Sequence, residues 1–334
     1  MKAIRRRCAV PLLAAALTIP RIAWAGPGEG SYQSRASGDW LNPATWEIHD
    51  AAAGGWRVAT VEDGVPNIDD RAAIQSGHVV AVSGRVEIGK LVIERGNGFP
   101  QEGVREGIRA PAVRAPAARG TGTADGGVLE VTAGGILTIG EGLKMPQRPQ
   151  EAAAGRIVFS GAGRAPGTIL ARTSIGIGGD VEVIGAAGGV FETRHPDHTV
   201  GVGRFAQISA TGGPLTFDTA LSMDGRVIAD GPHAVRVTGL EVREGSSGKW
   251  VIAHPKARVS FETANRVHLR AGEIDVREGT LETAVDFEAE RVTRGAAGRI
   301  EVCEGKSFSA RQLTEEKADQ ADAADQANGR EVVR

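Results

Sequence analysis

Apolar residues along the chain recur in short alternating runs, not at helical spacing. Val181-Glu182-Val183 and Ile274-Asp275-Val276 place every second side chain on one face, the pattern of a strand with one buried side. Many of these runs open on a Gly-charged-apolar triplet. It occurs as Gly155-Arg156-Ile157, Gly179-Asp180-Val181, Gly203-Arg204-Phe205, Gly225-Arg226-Val227, Gly248-Lys249-Trp250, Gly272-Glu273-Ile274 and Gly298-Arg299-Ile300, in steps of 24, 24, 22, 23, 24 and 26 residues. A second run follows some ten residues later: Phe191-Glu192-Thr193, Phe217-Asp218-Thr219, Phe261-Glu262-Thr263 and Leu281-Glu282-Thr283, with Val235-Arg236-Val237 in the same place of the intervening repeat. Ile175 to Ile177, Leu221 to Met223, Leu240 to Val242, Val267 to Leu269 and Phe287 to Ala289 fit a third strand.

Two or three strands in about 24 residues, separated by glycine and polar turns, match one coil of a repeat architecture. The fold expected is all-β: a right-handed parallel β-helix, or β-solenoid, with an N-terminal capping module. A β-sandwich or irregular β-roll is the competing arrangement. Equivalent residues of adjacent coils stack about 4.8 Å apart, so the phenylalanines of the second run should form an internal ladder.

Stacking also aligns the outward residues. The first strand presents Arg156, Asp180, Arg204, Arg226, Lys249, Glu273 and Arg299. Three successive cations, Arg204, Arg226 and Lys249, are candidates to track the charges of an acidic polysaccharide. The second strand presents Glu192, Asp218, Arg236, Glu262 and Glu282. Stacked carboxylates raise one another's pKa and can serve as an acid/base pair or a Ca²⁺ site. Arg226, Lys249, Asp218 and Glu262 are therefore the catalytic candidates. A charge-compensated, solvated ladder accounts for the same residues and is favoured.

The region before the coils reads differently. It contains Ser37-Gly38-Asp39-Trp40, Asn42-Pro43-Ala44-Thr45-Trp46, Gly64-Val65-Pro66-Asn67-Ile68-Asp69-Asp70 and Ala73-Ile74-Gln75-Ser76-Gly77-His78, followed by Val79-Val80-Ala81-Val82. Residues 36–96 so resemble the opening of G8-type domains, where a W-x-x-P-x-T-W element, a V-P-x-x-x-D turn and an I-x-x-G-H strand precede the first rungs of a β-helix. The resemblance implies an extracellular module and, in some relatives, polysaccharide or hyaluronan handling. Trp40 and Trp46 are expected to cover the end of the solenoid instead of stacking on a sugar, because an uncovered coil exposes strand edges and apolar core. His78 is expected to be structural.

Export is read from the first residues. Lys2, Arg5, Arg6 and Arg7 form a basic region, Cys8 to Ile19 a short apolar stretch, and Ala23-Trp24-Ala25 a small-x-small cleavage site. The expected organisation is a signal peptide at 1–25, the opening module at 26–96, a Pro/Ala/Arg/Gly-rich insert at 97–126, coils at 127–313 and an acidic, Ala-rich tail at 314–334. The insert, which carries Arg105, Arg109, Arg114 and Arg119, reads as a solvated loop. The exported chain is expected to be secreted, periplasmic or attached to the cell surface, with no transmembrane segment. Removing residues 1–25 takes five of 39 basic residues and none of 41 acids, leaving a net charge of 34 minus 41, or −7. That balance gives no general attraction to nucleic acid. Cys303 is the one thiol left, which excludes an intramolecular disulfide and a cysteine zinc site.

His195-Pro196-Asp197-His198 is the densest group of metal-ligating side chains, and His195, Asp197 and His198 are the metal candidates. A polar surface turn is the favoured account, since metal sites need complete ligand sets. No cofactor is expected beyond the Ca²⁺ option. G-x-S-x-G, G-x-x-x-x-G-K-[ST] and H-E-x-x-H are all absent. Two functions remain: a non-catalytic exported scaffold or adhesion module with polysaccharide binding, which is preferred, and a polysaccharide lyase or hydrolase working in a charged groove. An enzyme should gather Arg or Lys, His and two acids into one cleft, whereas a scaffold should spread its charges.

Overall fold

The computed structural model describes residues 30–94, 126–145, 155–195, 197–238, 248–262 and 269–316. The expected signal peptide, all of the insert but Gly126, the stretch 146–154, Pro196, the run Leu240 to Val242, Val267 and most of the tail lie outside the described residues. The last strand, Phe308–Glu315, continues two residues into the region assigned to the tail.

The described residues fold into two long sheets whose strands are parallel except at one end. The longer sheet has 16 strands and the shorter 11, and the chain alternates between them. In one repeat, Leu215–Asp218 and Ala220–Met223 lie in the longer sheet and Arg226–Ala229 in the shorter. The first and last of these pair in parallel with their counterparts one repeat on, Leu215–Asp218 with Ala234–Val237 and Arg226–Ala229 with Lys249–Ile252, and Ala220–Met223 pairs with Thr199–Val202 one repeat back. The third strand of the repeat is present in Ile175–Ile177, Thr199–Val202 and Ala220–Met223. No helix among the described residues is long and apolar enough to cross a membrane.

Alternation builds one core between the sheets. In the shorter sheet the pairing aligns Ile157, Val181, Ile208, Val227, Trp250, Ile274 and Val292, all buried. In the longer sheet it aligns Leu137, Ile169, Phe191, Phe217, Val237 and Phe261. Phe159 meets Phe191 edge-on at 5.3 Å and Trp250 meets Phe261 at 5.0 Å, each contact joining the two sheets. Their apolar faces therefore meet and their charged faces point apart. Each such side chain contributes about 1.5–3 kcal/mol by leaving water. The phenylalanine ladder is present at Phe191 and Phe217, stacked at 5.6 Å, and is interrupted by Val237.

Two of the expected outward rows differ from the pairing. Gly203-Arg204-Phe205 leads into a turn, and the strand begins at Gln207, which pairs with Arg226. The row therefore reads Arg156, Asp180, then Gln207, Arg226, Lys249 and Glu273, followed by Arg291; Arg204 is not in it. Arg299 falls in the other sheet, opposite Thr280. In the second row Arg236 pairs with Ser260, and Ser260 with Glu282, while the row through Glu192 and Asp218 continues to Thr238 and Glu262. Arg236 and Glu282 are thus slipped by two residues from their expected neighbours. A period of two fixes which face a residue takes, but a slip of two residues keeps every face and leaves the alternation unchanged.

The first strands depart from the parallel scheme. Ser31–Ser34 pairs antiparallel with Trp46–Asp50, which pairs antiparallel with Gly55–Val58 at the limit of the longer sheet. Trp40 and Trp46 are fully buried, with ring centroids 4.8 Å apart. Their indole N–H groups are satisfied internally, Trp40 donating to the Pro66 carbonyl at 3.2 Å and Trp46 to the Trp40 carbonyl at 2.9 Å. Neither ring is available to a sugar.

Candidate functional site

Parallel stacking sets each outward side chain beside its neighbour one coil away, so the chemistry of either face depends on which charges are adjacent. On the shorter sheet, Arg226 and Lys249 are neighbours. The Lys249 ammonium lies 2.8 Å from a Glu273 carboxylate oxygen and 3.8 Å from Asp275. The Nε of Arg226 is enclosed and meets no acceptor. Arg204 lies at the turn, its guanidinium 5.7 Å from the ring of exposed Phe205. Of the three expected binding cations, two are brought together and the third stands apart.

Asp218 and Glu262 lie on the longer sheet, whose outer face points the other way. Asp218 accepts from the Thr238 hydroxyl at 3.0 Å. Glu262 is held by Arg236 through two bonds, at 3.1 and 2.6 Å, and accepts from Ser260 at 2.8 Å. The Arg236 guanidinium keeps the Glu262 carboxyl below the ordinary range, and the same pairing raises Arg236. A carboxylate so stabilised is a poor proton donor near neutral pH. Glu282 is bound by Arg258 at 2.7 Å, and Arg258 also approaches Glu301 at 3.6 Å. Asp218, Glu262 and Glu282 are thus each answered by a cation or hydroxyl, and the four catalytic candidates are split between two opposed surfaces.

His195 and Asp197 are 3.3 Å apart and exposed, and the rings of His195 and His198 lie 5.3 Å apart. Among the described residues no three His, Cys, Asp or Glu side chains are grouped to hold a metal ion. His78 shares its Nδ1 with the hydroxyl and carbonyl of Ser34, at 2.9 and 3.1 Å, and tethers two strands of the opening region.

One concavity escaped the sequence reading. Lys144, Gly176, Gly201 and Ser222 stack in register on the third strands, with glycine at the two middle outward positions. A Cβ added at Gly176 would meet nothing. The result is a groove of about 290 Å³ edged by Lys144, Ser222 and Asp224. Its signal lay in Ile175-Gly176-Ile177 and Val200-Gly201-Val202, where glycine occupies the place other coils fill with a side chain.

A second cluster missed in the sequence surrounds Tyr32, whose hydroxyl donates to the Asp63 carbonyl at 3.0 Å. Arg57 clamps the Asp63 carboxylate, at 2.6 Å on one oxygen, and holds it well below the usual carboxylate range. Burial, then the negative charges of Asp70 and Asp63, push the Tyr32 phenol up to about 12. Tyr32 is the chain's one tyrosine, so the ultraviolet absorbance of tyrosinate reports it alone. The titration midpoint is expected at about 12 in the folded protein and about 10 when unfolded. Because the unfolded chain ionises first, this group's contribution to stability is complete below pH 10 and is lost as pH rises toward 12. A folded-state midpoint near 10 would show the ring to be solvated.

No protein-family model, no curated protein and no solved structure matches the chain.

Proposed function

We propose that the chain is an exported right-handed parallel β-helix, closed at its N-terminal end by a G8-like module, that serves as a non-catalytic surface or matrix scaffold and binds acidic polysaccharide. The reading is carried by the separation of Arg226 and Lys249 from Asp218 and Glu262 onto sheets whose outer faces point apart. General acid–base cleavage needs those groups within reach of one bond. Their dispersion suits an extended face that offers many weak contacts. The antiparallel strands and buried tryptophans at the N-terminal limit support the closing module. Arg226 and Lys249, adjacent on the outer face of the shorter sheet, support an anionic ligand.

The test incubates the purified protein with immobilised and soluble uronate-containing and neutral polysaccharides, following retention and the appearance of unsaturated or reducing ends. Retention on uronate polymers without new ends is expected. Arg226→Ala should weaken it roughly tenfold, the equivalent of about 1.4 kcal/mol, and Glu262→Ala should leave it unchanged. Turnover that disappears in Arg226→Ala or Glu262→Ala would establish the enzyme instead.

A further inference from the structure

Glycine inside a strand weakens it, and it is found there where a ligand or another backbone comes close. Gly176 and Gly201 each sit between two β-branched residues buried in the core, Ile175 and Ile177 in one coil, Val200 and Val202 in the next. Neither glycine takes the left-handed conformation that would call for the residue. Nor does crowding require it. A Cβ at Gly176 would meet nothing within 4 Å, and one at Gly201 would meet the Ile175 carbonyl oxygen at 3.7 Å, an ordinary contact. Gly179 and Gly212 differ, since a Cβ at either would overlap a carbonyl oxygen of the preceding coil. The two strand glycines therefore cost strand stability and keep clear only the space outside them.

That space is the groove of about 290 Å³, whose floor also includes Gly178 and Gly203. It lies at the small end of ligand pockets. Exposed Lys144 stands at one end, and Ser222 and Asp224 stand at the other, three strands or about 14 Å away along the stack. The chain bends at Asp224 and Gly225, and Arg226 opens the next strand on the shorter sheet, with Lys249 one coil further on. That cation pair continues the line of the groove around the corner.

We infer that the groove over Gly176 and Gly201 is a uronate-binding subsite, in which a ring of an acidic saccharide lies on the glycine floor. This rests on the reading of the chain as a binder of acidic polysaccharide, and adds where the sugar is seated. A pyranose ring offers a flat C–H face to a floor without side chains and a rim of hydroxyls to Ser222 and Asp224. The Lys144 ammonium takes the carboxylate. A polypeptide strand suits the floor less well, because the strands beneath are already paired to neighbouring coils on both sides and offer no free ladder.

The test titrates tetragalacturonate into the full chain labelled with nitrogen-15 glycine, with the fully methyl-esterified tetramer as the uncharged control. The amides of Gly176, Gly178, Gly201 and Gly203 should shift with the acid form. Lys144→Gln should weaken the acid form up to about fivefold, as for an exposed ion pair, and leave the ester unchanged. The double variant Gly176→Val, Gly201→Val fills the groove and should weaken binding on the order of tenfold or more. Its thermal midpoint should equal or exceed that of the wild type, since valine favours a strand. Wild-type affinity in the double variant, or in Lys144→Gln for the acid form, overturns the inference. A double variant that melts below the wild type also overturns it, because the groove is then filled by the protein's own chain. Binding lost in Arg226→Ala and intact in the double variant removes the groove and leaves the polysaccharide reading standing. A wild type that binds neither tetramer nor any acidic polymer removes both.

Discussion

Replacing Trp46 with alanine is expected to lower the unfolding free energy by about 3–5 kcal/mol, the range for deleting a fully buried aromatic side chain. The ring has no exposed surface and packs edge-on against Trp40. Its N–H is the donor to the Trp40 carbonyl, which lies in a buried environment and would lose that partner. An acceptor left unmade there adds to the cavity cost. Chemical denaturation followed by tryptophan fluorescence measures the change. A loss under about 1 kcal/mol accompanied by weakened polysaccharide retention would mean that the ring serves a ligand and not the core.

Phe191→Ala should cost a similar amount, about 3–5 kcal/mol, at the middle of the two parallel sheets. Phe191 is buried between Phe159 of the shorter sheet and Phe217 one coil on. Removing it opens a void that touches both sheets and leaves two rings without a facing partner. Stability in a stacked repeat is the sum of coil terms and neighbour interfaces, so the loss should concentrate in the coils around residues 159–217. Hydrogen exchange should show these amides opening first, ahead of the Trp40 and Trp46 region. Uniform loosening of the whole chain would contradict the one-dimensional coupling.

These two sites also show what the residue order reveals and what it conceals. Phe191 and Phe217 were legible because glycine-spaced triplets and alternating runs identify coils, and coils imply stacking. Trp40 and Trp46 were legible as structural from their place before the first coil. The register was not. Arg204 follows glycine and precedes an apolar residue like its counterparts, yet the chain turns at Gly203 to Ala206 and the strand starts three residues later, at Gln207. Arg236 and Glu282 alternate as expected and are still displaced by two residues, because alternation repeats at that interval.

The consequence for function is direct. A row with Gln207 in place of Arg204 no longer holds three consecutive cations, and Arg236, expected directly beside Glu262, reaches it diagonally from the neighbouring row. The groove over Gly176 and Gly201 was hidden for the opposite reason. Its defining feature is a missing side chain, which becomes a concavity only when two coils are laid in register.

The parallel coil-on-coil register underlies the core, the split of the catalytic candidates and the glycine-floored groove. It is tested most directly by nitroxide labels on outward positions of successive strands in a Cys8→Ser, Cys303→Ser background. Glu182 and Ser209 are adjacent in register, and Ser209 is adjacent to Ile228. Labels at 182 and 209 should show strong dipolar broadening, as should labels at 209 and 228. Labels at 182 and 228, two coils or roughly 10 Å apart at the backbone, should interact distinctly less. Absence of broadening at 182 and 209, or a stronger interaction at 182 and 228, would contradict the architecture.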